Sequence, residues 1–301
     1  MTNIEITLEG GGIRDTFHND WDRCEQLGLL HIENLEGWYG GVGADVTPDL
    51  KRFRRHGKFP GDTIRSDRKM DLTLTWHRSI SGGAEGAYTL AGRIASGIAW
   101  DRGPYTMTVT EGDFVLSSTV QLDGEPAFQP IIAGSEEAFR IRTPLRATDP
   151  FLYSPSITTT VSGYTSSPVL VNNVWTQGLE DAEGRQVLAW TVPAQQPAVL
   201  TNEGTATAYP IIEVFATDPA GAAVTLNGGT VEYRGPLFEQ SPLVIDYRRG
   251  AATVNGRDVS QNLRKREWRG VEPHSATAPH LSFLSSSGRG FARARMSSTW
   301  I

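Results

Sequence analysis

The side chains that could perform chemistry are few and scattered. Cys24 is the single cysteine in 301 residues, so neither an internal disulfide framework nor a cysteine-clustered zinc site can be built. A lone thiol is most often a small buried hydrophobe. The six histidines, His18, His31, His56, His77, His274 and His280, never fall at the H-x-x-x-H spacing that puts two imidazoles on one helix face. His274 and His280 flank a proline-rich loop, where a solvated or capping role is the simpler reading. No G-x-S-x-G nucleophile elbow occurs. Glu111/Asp113 and Glu136/Glu137 are the kind of carboxylate pair that glycoside hydrolysis holds across a cleft, but each adjoins a glycine, Gly112 or Gly134, in a turn-like context. Gly10-Gly11-Gly12 reads as an ordinary loop. Gly40-Gly41-Val42-Gly43 lacks the third glycine and the following helix of a dinucleotide loop. Gly57-Lys58 is followed by Phe59 rather than Ser or Thr, which excludes a Walker A phosphate loop. No catalytic residue, cofactor or metal is expected from this inventory, and the chain does not read as an enzyme.

What remains is suited to contact rather than catalysis. The run Lys51-Arg52-Phe53-Arg54-Arg55-His56-Gly57-Lys58-Phe59 interleaves cations with aromatics, as an interface loop facing an acidic neighbour would. Arg264-Lys265-Arg266-Glu267-Trp268-Arg269 is a shorter basic run, read as a strand edge or subunit contact. Trp38-Tyr39, bracketed by Gly37 and Gly40, supplies aromatics of the kind found as core or interface anchors. The candidate subunit-interface residues are therefore Trp38, Tyr39, Arg52, Phe53, Arg54, Arg55, Phe59, Arg264, Arg266 and Trp268. The chain carries 28 Lys+Arg against 34 Asp+Glu, a formal net charge of −6. That balance argues against a nucleic-acid partner, which calls for a cationic groove.

The elements that must position these residues are strands. Alternation of apolar and polar residues marks Ile4–Leu8, Met70–Trp76, Tyr105–Thr110 and Phe139–Arg142 as half-buried strands. Ile157–Val161 is β-branched throughout. Further strands are expected at Val187–Trp190, Ile211–Phe215, Ala223–Leu226, Thr230–Tyr233, Leu243–Tyr247 and Phe291–Trp300. The last of these puts Ala292, Ala294, Met296, Ser298 and Trp300 on one face and Phe291, Arg293 and Arg295 on the other. Asp123-Gly124, Asn227-Gly228 and Asn255-Gly256 are tight-hairpin dipeptides, so antiparallel pairing is favoured over βαβ units. One amphipathic helix is expected over 83–98, where Ala84, Ala87, Tyr88, Ala91, Ile94, Ala95 and Ile98 follow helical spacing. The proline-rich stretch Thr148–Pro155 divides two β-rich halves, so we expect domains at 1–152 and 153–301. No apolar run approaches the roughly 18–20 residues of a membrane span. The opening MTNIEITLEGGG shows neither region of a signal peptide, and no Asn-x-Ser/Thr acceptor occurs; all three suit a protein made in a reducing cytoplasm.

The succession of these features resembles the distal tail protein of long-tailed (siphovirus) phages, over most of the chain. In the first half the likeness lies in the early strand, Leu35-Glu36-Gly37-Trp38, the basic loop ending in Gly57-Lys58-Phe59-Pro60, and the strand Leu72-Thr73-Leu74. At the join it lies in Phe139–Arg142 followed by Leu145–Tyr153, with Asp149-Pro150 at the boundary. In the second half it lies in Asn202-Glu203-Gly204, Tyr209–Val214, Leu243-Val244-Ile245-Asp246, Asn255-Gly256 and Trp268. The segment Glu272–Pro279 departs from the family's Pro-Gly and Asn pattern.

The resemblance implies a mainly β protein. Its N-terminal belt-type β-barrel or sandwich domain carries one helix, and its C-terminal domain is a galectin-like antiparallel β-sandwich. It also implies a structural virion component assembled in the host bacterial cytoplasm, a homo-hexameric ring joining tail tube to tail tip or baseplate. The implied partners are the tail tube, tape measure and tail-tip hub proteins, with no cofactor, no membrane and no nucleic-acid sequence recognition. The rival expectation is a carbohydrate-binding β-sandwich adhesin for a host cell-wall glycan, in which Trp175 or Trp190 would stack on sugar.

Overall fold

A computed structural model describes residues 3–40, 42–46, 50–51, 58–59, 63–77, 104–133, 136–165, 198–285 and 287–301. The helix expected over 83–98, the strand expected at Val187–Trp190, Trp175, and Arg52, Phe53, Arg54 and Arg55 lie outside the described residues. The chain divides into two compact units, one of Met1–Pro155 with Thr299–Ile301 and one of Ser156–Ser298.

The first unit opens with β1 (Ile4–Gly10), β2 (Ile13–His18), α1 (Trp21–Leu27) and β3 (His31–Glu36). Four short strands follow: β4 (Ala44–Val46), β5 (Leu50–Lys51), β6 (Lys58–Phe59) and β7 (Thr63–Arg65). Then come β8 (Arg68–His77), β9 (Tyr105–Glu111), β10 (Phe114–Leu122), β11 (Ala127–Ala133), β12 (Glu136–Ala147) and β13 (Leu152–Tyr153). The second unit holds β14 (Ile157–Thr165), β15 (Leu200–Asn202), β16 (Ile211–Thr217), β17 (Gly221–Leu226), β18 (Gly229–Arg234), β19 (Leu243–Asp246) and β20 (Ala251–Val254). It continues with β21 (Arg257–Asp258), β22 (Leu263–Arg266), β23 (Ser275–Thr277), β24 (His280–Phe283) and β25 (Arg289–Met296). The last strand, β26 (Thr299–Trp300), returns to the first unit, where it pairs antiparallel with β13.

The fold is mainly β, as the alternation of the sequence requires. In the first unit a ten-stranded sheet runs β11-β12-β8-β3-β2-β1-β9-β10-β13-β26, and a further pairing of β12 with β10 ties its two arms together. Alternation sorts the side chains. Met70, Leu72, Leu74 and Trp76 of β8 point into one core with Ile6, Leu8, Met107, Val109, Ile141 and Leu145, while the residues between them face out. Gly11 and Gly12 make the β1–β2 turn at φ of 58° and 82°, a backbone that strains any side chain, which accounts for the glycine run there.

The described helix, α1, was not among the expected elements. It has seven residues and one buried side chain, Cys24, so it offers no periodicity to detect. Its boundaries are set by caps: the Asp20 carboxylate accepts from the Asp22 N–H, and Gly28 closes it in the left-handed region at φ 67°.

The second unit is a β-sandwich. One layer is β21-β20-β19-β16-β25-β14 and the other β24-β17-β18-β22, with β14 passing between them. Residues 157–162 of β14 pair antiparallel with β25, and 163–165 pair parallel with β24. The crossing point must be glycine, because a Cβ on Gly163 would stand 2.3 Å from the ring of Phe283. Asn227-Gly228 and Asn255-Gly256 take positive φ at both positions, 46° and 75°, then 48° and 74°, and close the β17–β18 and β20–β21 hairpins. Asp123-Gly124 forms no such hairpin; its chain goes on to β11, which pairs with β12. The expected strand Phe291–Trp300 is two strands, β25 and β26. Ala292, Ala294 and Met296 do enter the core, and Phe291, Arg293 and Arg295 do face out.

The most deeply buried carboxylate among the described residues of this unit ties its loops. Asp218 is 1% exposed and accepts from the N–H groups of Ala220 (2.6 Å), Gly221 (2.9 Å) and Ser285 (3.1 Å) and from the Ser285 hydroxyl (2.8 Å). Burial pushes its pKa up, but these four hydrogen bonds outweigh it and hold the carboxyl below its ordinary value.

Candidate interaction surfaces

The Trp38-Tyr39 pair is split by the turn that carries it. Gly37 sits at φ 77°, and a Cβ there would lie 2.0 Å from the Lys69 carbonyl oxygen. This close passage over β8 drops Trp38 into the core at 1% exposed and leaves Tyr39 outside at 59%. Trp38 is thus a core anchor whose side chain is closed to a partner, and Tyr39 is the interface candidate of the two.

Arg68 fixes this turn from beneath. It is 2% exposed. Its Nη1 donates to the carbonyls of Gly37 (3.0 Å), Trp38 (2.8 Å) and Gly40 (3.1 Å), and its Nε donates to the Pro150 carbonyl (2.9 Å). Among the described residues no carboxylate pairs with it; burial lowers its pKa, yet a guanidinium stays charged in proteins. The carbonyl dipoles carry the compensation instead. The sequence shows Arg68 only as one arginine among many, and its partners are carbonyls that no side-chain pattern reveals.

Above the turn, the Tyr39 hydroxyl donates to Glu111 Oε1 at 2.6 Å. Partial burial, and then this carboxylate, push the phenol above its ordinary pKa. Glu111 stands opposite Phe114 across the β9–β10 turn. Phe114 is 46% exposed and meets Trp300 edge-on, with ring centroids 5.4 Å apart. Tyr39, Phe114 and Trp300 therefore mark one aromatic rim of the first unit. The carboxylate bonded to Tyr39 is Glu111 of the Glu111/Asp113 pair, which flanks the tight turn at Gly112 (φ 59°). Cys24 is buried, its thiol donates to the His18 carbonyl at 3.3 Å, and burial pushes its pKa up to about 11, so it is a protonated core residue at neutral pH.

The outer face of the same sheet is neutralised strand against strand. Arg140 of β12 forms a two-bond pair with Glu33 of β3, and the Thr75 hydroxyl of β8 donates to the same carboxylate at 2.7 Å. The Arg140 hydrogen bonds hold Glu33 below its ordinary pKa. Arg142 pairs with Asp71, and Arg146 lies 3.8 Å from both Asp67 and Asp123.

In the second unit the basic run disperses. Arg264 is exposed on β22. Arg266 folds back, donating from Nη2 to the Ser260 carbonyl (2.9 Å) and from Nε to that of Leu263 (3.3 Å). Trp268 is half-buried, edge-on to Tyr247 at 5.5 Å and packed over Gly250. Phe59 lies on β6, paired with Leu50 of β5. Within the first unit Trp38 and Tyr39 part to opposite sides of one turn, and within the second Arg266 and Trp268 take separate partners. Outward on β25, Arg293 lies over the rings of Phe215 (5.1 Å) and Phe291 (5.9 Å), which stack on each other at 5.3 Å. Among the described residues no group of three or more His, Cys, Asp or Glu is placed to hold a metal, and no helix is long and apolar enough to cross a membrane.

No protein-family model matches the chain, and no curated protein matches it by sequence. Solved structures do. The fold is shared with the Dit protein (gp 19.1) of phage SPP1, described as a paradigm of the hub adsorption apparatus in phages that infect Gram-positive bacteria. The TM-score is 0.60 at 11% identity, over 98% of this chain and 99% of that one. Chains of the phage p2 baseplate in its activated conformation, with strontium and with calcium, align at a TM-score of 0.49 and 9% identity. They cover 97% and 99% of this chain and 97% and 98% of their own. The likeness of fold rests on the SPP1 protein.

Proposed function

We propose that this chain is a structural component of a phage tail tip or baseplate, a distal tail protein that forms a homo-hexameric ring between tail tube and tail tip. The observation that carries the reading is the match to SPP1 Dit end to end, with almost nothing left over in either chain. A shared domain alone would leave part of one chain unmatched. Two features of the molecule agree with an assembly role. Among the described residues, Cys24 is spent as a core thiol and Asp218 and Arg68 as loop staples. Its exposed groups are aromatic rims and arginines, the residue types that protein interfaces favour. In this reading the first unit forms the ring, and the partners are the tail tube, tape measure and hub proteins of the same virion. The protein works by binding, without a cofactor.

Light scattering of the purified protein, with negative-stain class averages of the same sample, tests this. Closed six-fold rings are expected. A monomer at every concentration, both alone and when co-expressed with the tail tube protein, overturns the reading.

A further inference from the structure

The outer face of β25 carries three arginines, Arg289, Arg293 and Arg295, and none forms an ion pair with a described residue. All three are exposed. They are not guards of a sheet edge, where charges deter pairing with another chain, because β25 lies between β14 and β16. The register sets a hydroxyl beside each of two cations: Thr158 opposite Arg295 and Thr160 opposite Arg293. Both threonines are exposed. On the other flank, Phe215 and Phe291 are paired in register, and Thr217 stands opposite Arg289. Glu213 lies opposite Arg293, yet the Arg293 guanidinium leans onto the two phenylalanine rings.

We propose that this face binds a linear, phosphate-bearing polymer, with phosphates spaced along it seated between an arginine and a threonine. Same-face residues two apart on a strand are about 7 Å apart. Arg293 and Arg295 are one such step apart, and Arg289 lies two steps beyond Arg293, past Phe291, so the strip offers a one-dimensional row of three cations, which suits a chain with repeated anions. Stacking on Phe215 and Phe291 holds the Arg293 plane and leaves its N–H edge for a bidentate bond. The neighbouring hydroxyl selects between anions. A planar carboxylate is satisfied by the guanidinium fork alone, whereas a tetrahedral phosphate turns further oxygens toward the threonine. This inference stands on the strip itself and does not depend on the ring reading.

The test titrates long-chain inorganic polyphosphate into the full chain over a salt series. Saturable binding is expected, with log K falling against log salt at a slope of about −2 for two to three contacts. R293Q/R295Q is expected to lose about tenfold in affinity. T158V/T160V is expected to lose about threefold, and E213Q to bind more tightly because it removes the repelling carboxylate. R140Q/R142Q, which changes arginines already paired, should move affinity by less than about twofold. Poly-glutamate of matched length should bind at least about fivefold more weakly than polyphosphate. Failure of polyphosphate to saturate, or an equal loss in R140Q/R142Q, overturns the site. Equal affinity for poly-glutamate overturns the phosphate assignment and points instead to an acidic protein partner.

Discussion

Among the described residues, the most deeply buried charge of each unit is held by backbone groups rather than by an ion pair, and the two choices are opposite. The first buries a cation, Arg68, ringed by four carbonyl oxygens. The second buries an anion, Asp218, ringed by three N–H groups and a hydroxyl. Both solve one problem, the satisfaction of loop backbone that leaves a sheet. Carbonyls left over at the Gly37–Gly40 turn call for a donor fork; amides left over at the 218–221 and 285 turns call for an acceptor. The difference recurs on the surface. Arg140, Arg142 and Arg146 of β12 lie against carboxylates, while Arg293 of β25 lies over two phenyl rings although Glu213 stands opposite it. The residue opposite in register does not decide what an outward arginine does: Arg140 and Arg142 stand opposite Thr75 and Thr73 yet pair with Glu33 and Asp71.

The contrast of the buried charges can be broken most severely at Arg68. Arg68→Ala orphans four carbonyls and opens a cavity, and should cost about 3–5 kcal/mol in urea unfolding. Arg68→Lys should recover little, since an ammonium cannot reproduce the fork. Asp218→Ala should cost about 2–4 kcal/mol, felt in the second unit. Cys24 separates the two effects, because the only thiol lies in the core of the first unit. Arg68→Ala should accelerate its labelling at least about tenfold, one factor of ten per 1.4 kcal/mol, and Asp218→Ala should leave the rate unchanged. Equal acceleration by both would show that the two staples do not act locally.

Acid sharpens the same contrast. The folded pKa of Asp218 lies below its unfolded value of 3.8. Its contribution is therefore complete above pH 3.8 and is lost as pH falls through the folded pKa. Arg68 stays charged throughout. Hydrogen exchange should show the 218–221 and 285 turns opening first in acid, and Asp218→Asn should abolish that order.

The smallest effects concern the two arginine rows. Arg142→Gln removes the guanidinium that pairs with Asp71 and should lower the melting temperature only slightly. Arg293→Gln with Arg295→Gln should stay within about 0.5 kcal/mol of the parent in thermal melts. A cost on β25 as large as that on β12 would mean the second row is structural after all.

Much of this architecture was legible in the sequence. Strict alternation at Met70–Trp76 and at Ala292–Met296 set both strand and facing, and Asn227-Gly228 and Asn255-Gly256 announced their hairpins through the positive φ they must adopt. Three things were not legible. Helix α1 is too short for periodicity, and only its caps, Asp20 and Gly28, mark it. The break after Met296 has no turn dipeptide. The site residues were the least legible, because Trp38 and Tyr39 are neighbours with the same composition signal, and a 2.0 Å clearance at Gly37 is what sends one in and the other out. Arg266 likewise reads as an exposed cation until the Ser260 carbonyl is placed beside it.

The return of β26 to β13 gives the chain a modular logic. Tyr153 stands opposite Thr299, so residues 154–298 occupy the position of a hairpin turn in the first sheet. Replacing that whole segment with Asn-Gly would join the two strands by the tightest turn antiparallel chains accept. The second unit is in this sense a cargo slot, and other domains could be spliced into the same gap without disturbing the order of strands around it.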